Sequence, residues 1–180
     1  MKKLLIFIVL LSNTLFAQDI EMFNYINIYR KHFGKKSLVI SKDLTKISIE
    51  QNKIIITEDS LSHSHKASEI AVMGEHLPST NQTTLEFSVF VESVMGIVYE
   101  EPKTEDNAVK YVKLYSLYLF DKSPNHKSIL LGDYTNIGFD IVIDNVKHKS
   151  NEVVVNGKVV KFKNIKSNYL VDFYCVADFN

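Results

Sequence analysis

The sequence predicts an α+β domain, and two changes of pattern along the chain carry that expectation. Apolar residues recur at helical spacing through the first two thirds, then alternate strictly in the last third. An Asn156-Gly157 pair sits between two short Val-rich runs, which is the signature of a hairpin with a type I′ turn. Helices first and strands last describe helices packed on an antiparallel sheet.

The elements follow in order. Asp19 to His32 places Ile20, Phe23, Ile26, Asn27 and Arg30 at turn-like spacing, and Gly34 ends that helix. Ser41 suits an N-cap, and Leu44, Ile47, Ser48, Gln51, Ile54 and Ile55 follow with a period of 3.6, stopping near Thr57 to Ser60. Ser68 to Met73 reads as a short strand. The stretch from Pro78 to Pro102 fits a short helix or a covering loop. Glu105 to Phe120 is a long helix, apolar on more than one side through Tyr111, Leu114, Tyr115 and Tyr118, which suits a place between layers. Pro124 opens another short helix, Asn125 to Leu131. Ile137, Phe139, Ile141 and Ile143 form one face of a strand. Tyr169 to Ala177 is the last strand, with Cys175 on its apolar face and Asp172 and Asp178 on its wetter one.

Composition bounds the function. Of 180 residues, 46% are hydrophobic and 23% charged, near globular averages. Lys and Arg number 21 against 21 Asp and Glu, so no basic surplus marks a nucleic-acid partner. One cysteine excludes an intrachain disulfide and a Cys-rich zinc module. Met1-Lys2-Lys3, the apolar run Leu4 to Leu11 and a small residue at Ala17 read as a secretory signal peptide over residues 1–17. Eight apolar residues fall far short of the ~20 that span a bilayer. The expectation is an exported protein, periplasmic or secreted, with no membrane span and one domain over residues 18–180. Without the leader the balance becomes 19 basic against 21 acidic residues.

Chemistry-bearing residues concentrate in two loops. His63 and His65 flank Ser64, with Glu69 close behind, and His126 sits in Ser123-Pro124-Asn125-His126-Lys127 beyond the long helix. Two imidazoles and a carboxylate brought together can bind zinc or another divalent metal with an open water position, or serve acid/base work near neutral pH. No GxSxG, HExxH, Walker or Rossmann pattern is present.

The order of motifs resembles the CAP superfamily, the SCP or pathogenesis-related-1-like domain. Asn27-Ile28-Tyr29-Arg30 before Gly34, Leu38 to Leu44, Leu61 to Ser64, Ser68-Glu69-Ile70-Ala71, Ser123 to Leu131 and Ile137-Gly138-Phe139 carry the resemblance, which spans nearly the whole chain after the leader. It implies an α-β-α sandwich with a central antiparallel sheet and a cleft lined by two His and two acids. His63, Glu69 and His126 match three of those positions, with Glu69 orienting an imidazole. His65 is an alternative to His63. The fourth, acidic position has no matching residue, and Glu86, Glu92 and Glu105 are the acids at hand. The resemblance implies a binding or interaction module for a small ligand, lipid or protein. The alternative is a metal-dependent hydrolase using His63, Glu69 and His126.

Overall fold

The structure is a computed structural model that describes residues 20–64, 66–76, 81–148, 152–155, 158–161 and 169–180. The expected leader, His65 and the Asn156-Gly157 turn lie outside the described residues. Among the described residues, eleven elements follow one another: α1 over residues 20–32, β1 Val39–Ile40, α2 Lys42–Glu58, β2 Ser68–His76, α3 Asn81–Ser93, α4 Glu105–Lys122, α5 Pro124–Leu130, β3 Asn136–His148, β4 Glu152–Val155, β5 Lys158–Lys161 and β6 Tyr169–Phe179. This is an α+β fold. The main sheet has the order β1-β3-β6-β2, and β4 and β5 pair separately. Three of its strands are antiparallel neighbours, but β1 runs parallel to β3, so the expected antiparallel sheet is in fact mixed. Two residues of β1 add that parallel rung, because the chain passes straight from β1 into α2 rather than turning back.

Local chemistry places the helix ends. Gly34 takes φ +70° just past α1, a conformation that costs a residue with a Cβ about 1 kcal/mol or more. The Ser41 hydroxyl accepts the Leu44 N–H to open α2, and Thr104 does the same for Asn107 in α4. Asp59, at φ 47°, closes α2. Pro124 occupies the first turn of α5. Within the stretch from Pro78 to Pro102, Asn81–Ser93 fold as α3 and the residues from 94 onward are irregular.

Both faces of the sheet are covered. Ile70, Ile137, Phe139, Ile141, Phe173, Cys175, Ala177 and Phe179 share one core with α1, α3, α4 and α5. On the other face Ala71 and Val176 pack against Ile55 of α2. Tyr111 and Tyr118 are buried in the larger core, in edge-on contact with Phe87, as a helix held between layers requires.

The Asn-Arg-Gly residues near the N-terminus serve as struts. Asn27 accepts the Leu38 N–H at 2.8 Å and donates to its carbonyl at 3.3 Å, copying a strand partner where the chain enters β1. Arg30, 1% exposed, donates to the carbonyls of Lys36, Leu130 and Gly132 and so binds α1 to the end of α5.

A row of small and polar residues crosses the α2 face. Gly138 lies opposite Asp178, and Asp178 lies opposite Glu69. A Cβ on Gly138 would fall 1.9 Å from the Thr45 nitrogen and 2.1 Å from the Leu44 carbonyl carbon. Glycine therefore lets the first turn of α2 rest directly on the sheet. One turn further on, the Ser48 hydroxyl reaches Asp178 Oδ2 at 2.7 Å. Asn52 donates to Asp140 at 2.8 Å from the next turn.

Candidate functional site

The cleft lies between edge strand β2 and α5. His63, Ala67, Glu69, Asn125, His126 and Ile129 line a cavity of about 220 Å³. The rings of His63 and His126 stand with centroids 6.2 Å apart, inclined at 47°. His126 is delivered by the first turn of α5 and rests edge-on against Phe120 of α4 at 5.5 Å. Burial, and then the neighbouring His63, lower the His126 pKa below the usual imidazole value, so its ring is neutral at pH 7.

Glu69 is the second residue of β2, with its side chain 2% exposed and both oxygens accepting hydrogen bonds. Oε1 meets His63 Nδ1 at 3.0 Å. The Ser64 N–H reaches both oxygens at 3.2 and 3.1 Å, and the Ser64 hydroxyl donates to Oε2. Accepting from Nδ1 fixes the tautomer of a neutral His63, leaving Nε2 as its basic nitrogen. Glu69 is thus an orienter, both of its oxygens being engaged by His63 and Ser64. Among the described residues, no three His, Cys, Asp or Glu side chains are grouped closely enough to hold an ion together. A cation here would take two imidazole nitrogens from the protein and its other ligands from water or a bound molecule.

Glu105 does not join the site. It is exposed in the first turn of α4, whose 18 residues rise roughly 27 Å toward α5 at 1.5 Å each. Glu86 accepts from Tyr118 at 3.0 Å and pairs with Lys122, and Glu92 accepts the Tyr99 N–H. The second acid near the site is instead Asp178, expected on a wet strand face and found fully buried behind Glu69. The α2 layer removes that face from solvent. Ser48, Gln51 and Asn52, polar residues on the buried stripe of α2, were the signal that the strands beneath carry polar partners.

Asp178 and Glu69 are two carboxyls facing each other under a helix. Asp178 Oδ2 receives Ser48, while Oδ1 has no hydrogen-bond donor among the described residues. Burial first, then the charge of Glu69, raise the Asp178 pKa from 3.8 to about 6, against the pull of the Ser48 hydroxyl and His63. An acid whose pKa rises on folding favours the folded state below the unfolded value and loses that contribution as pH climbs through the folded one. Between pH 4 and 7 the loss is on the order of 2 kcal/mol. Asp178→Asn keeps the acceptor for Ser48 and supplies a donor toward Glu69. The variant is expected to melt several degrees above wild type at pH 7 and level with it near pH 4, by circular dichroism. An equal difference at both pH values would show that Asp178 does not hold the proton.

Comparison with family models, with curated proteins and with solved structures finds no match to the chain.

Proposed function

We propose that the chain is an exported CAP-like domain that acts as a binding module, and that His63 and His126 take a divalent cation or a small ligand between them. The observation that carries this reading is the pair of imidazoles 6.2 Å apart on one cleft, one of them oriented by a buried carboxylate. Size narrows the ligand. A cavity of about 220 Å³ is below the ~300 Å³ at which drug-sized sites begin, so it suits an ion with its water or a small oxyanion. Zinc or a similar metal bound there would polarise a water or ligand oxygen. The leader-like run at residues 4–11 supports export, and among the described residues no helix is long and apolar enough to cross a membrane.

Binding is preferred to hydrolysis for a reason of placement. A metal-dependent hydrolase that spends His63 and His126 as ligands needs a further group, such as a carboxylate, facing the reacting water as its base. Among the described residues Glu69 is the acid that lines the cleft, and it already accepts from His63 and Ser64. Asp178 lies behind it.

Calorimetric titration with zinc tests the reading on wild type and His126→Ala. Wild type is expected to bind at least tenfold more tightly, with affinity falling as the pH drops and protons compete with the metal for His126. Equal binding by the two proteins rejects the cleft as a metal site. A parallel titration with inorganic phosphate separates the cation from the oxyanion.

A further inference from the structure

A second cavity lies away from the histidines, between the loop that leaves α1 and the turn that joins α5 to β3. It measures about 420 Å³, and Arg30, Phe33, Lys36, Asp133, Tyr134 and Thr135 are among its walls. We propose that this pocket binds a phosphorylated monosaccharide, with the phosphate at Arg30 and Lys36 and the sugar hydroxyls at Asp133 and Thr135.

The chain concentrates positive charge here. Arg30-Lys31-His32-Phe33-Gly34-Lys35-Lys36 holds four Lys and Arg, and no acid lies between Glu21 and Asp43. Gly34, at φ +70°, folds this run back so that the Lys35 N–H reaches the Arg30 carbonyl at 2.9 Å. Arg30 in turn holds the loop through Nε on the Lys36 carbonyl at 3.0 Å. Its Nη1 is spent on Leu130 and Gly132, and Nη2 has no hydrogen bond among the described residues. Nor is Nη2 sealed in, since the described side-chain atoms that are both buried and unpartnered are Asn52 Oδ1 and Asp178 Oδ1. Arg30 is 1% exposed, so the cavity it lines is the outlet for that nitrogen. A charged N–H held away from bulk water and left unspent is a strong donor to an anion.

The donors select a tetrahedral anion and the acceptors select what it carries. With Nε and Nη1 occupied, Arg30 has no pair of nitrogens left to grip a carboxylate side-on, and Nη2 meets a single oxygen. Lys36, exposed and in no ion pair among the described residues, is placed to meet another. Lys35 pairs with Asp133 at 2.9 Å. That hydrogen bond first, then the charges of Lys35, Arg30 and Lys36, hold the Asp133 carboxyl below its ordinary value, so all three cations face one rim. Three cations less one carboxylate leave the charge that a phosphate dianion balances. Asp133 only accepts, and a bare sulfate or ionised phosphate offers it no proton, whereas sugar hydroxyls do. Thr135 Oγ1 accepts from Asn136 at 3.0 Å, which leaves its own O–H to donate. Tyr134 forms a fixed wall: its ring packs on Phe179 at 5.6 Å and lies over Gly132, where a Cβ would strike it. A cavity of about 420 Å³ falls in the range of small-molecule sites and leaves room beyond the phosphate for a sugar ring.

Calorimetry of the purified protein with glucose 6-phosphate, glucose, inorganic phosphate and sulfate tests the pocket. Glucose 6-phosphate is expected to bind roughly tenfold more tightly than glucose, and more tightly than either bare anion. Lys36→Glu should weaken glucose 6-phosphate roughly tenfold, whereas Lys46→Glu, the same change of net charge on α2, should leave it within about twofold. Asp133→Asn should narrow the gap between glucose 6-phosphate and inorganic phosphate, because it removes the charge that opposes the bare anion. All three positions are exposed, and unchanged melting temperatures show that the variants fold. His126→Ala should bind glucose 6-phosphate as wild type does, so failure here leaves the histidine cleft to be judged separately. The proposal is overturned if glucose matches glucose 6-phosphate, if Lys36→Glu keeps wild-type affinity, or if Lys46→Glu loses as much. It is also overturned if inorganic phosphate or sulfate binds as tightly as the sugar phosphate, which makes the pocket a site for bare oxyanions.

Discussion

Alanine at Gly138 is expected to lower the melting temperature by about 10 °C or to prevent folding. The added methyl would sit 1.9 Å from a backbone nitrogen and 2.1 Å from a backbone carbon of α2, so no side-chain rotation relieves it. Either β3 or the first turn of α2 must move by more than an ångström. Overpacking of this kind costs about 3 kcal/mol or more, and a domain of this size loses roughly 2–4 °C for each. Gly96→Ala is the control. It has φ +66° but open space around the missing Cβ, so its cost is conformational and about 1 kcal/mol. Thermal melts at 222 nm separate the two, and equal shifts would show that α2 does not rest on Gly138.

Arg30→Met is expected to cost about 4 kcal/mol, read as a lower urea midpoint at unchanged slope. The guanidinium is buried, and among the described residues its hydrogen bonds go to carbonyls rather than to a carboxylate; burial lowers its pKa, against the charge of Asp133. What it has is geometry: Nε to Lys36 at 3.0 Å and Nη1 to Leu130 at 2.6 Å and to Gly132 at 3.0 Å, three carbonyls from two chain segments. Methionine keeps the apolar packing and leaves those acceptors without a donor, at about 1–3 kcal/mol each before relaxation. Arg30→Lys should recover only part, because an ammonium cannot reproduce the planar fork. The carbonyl of Leu130 closes the same short helix that presents His126. Zinc affinity should therefore weaken in Arg30→Met even under conditions where the variant is folded. A midpoint within experimental error of wild type would reduce Arg30 to a packing residue.

Helices and strands were legible wherever a local rule applied. Ser41 and Thr104 are caps that act within one turn, and Pro124 and Gly34 have backbone preferences that need no partner. The alternation of Ile137, Phe139 and Ile141 announced a strand with a buried face. The opposite face misled, because alternation reports only which residues are apolar. Asp178 reads as wet, yet α2 covers it, and only the polar stripe of Ser48, Gln51 and Asn52 hinted at that cover. The helix over Asn81–Ser93 was obscured because its apolar residues serve two sides: Phe87, Phe90 and Val91 enter the core while Leu85 and Val89 stay exposed.

The candidate site divides along the same line. His63 with Glu69 is a local pair, six residues apart, and the chain between them is short enough that the sequence alone brings them near. His126 is on a different element, 63 positions further along, and the gap between the two rings is a property of how α5 docks beside β2. Residue types and their order determined the elements, the turns and the identity of the groups available for chemistry, because those depend on neighbours along the chain. Packing decided the parallel β1, the burial of Asp178 against Glu69, the exclusion of Glu105, and the meeting of two histidines over one small cavity. Each depends on contacts between residues distant in sequence, which no local pattern encodes.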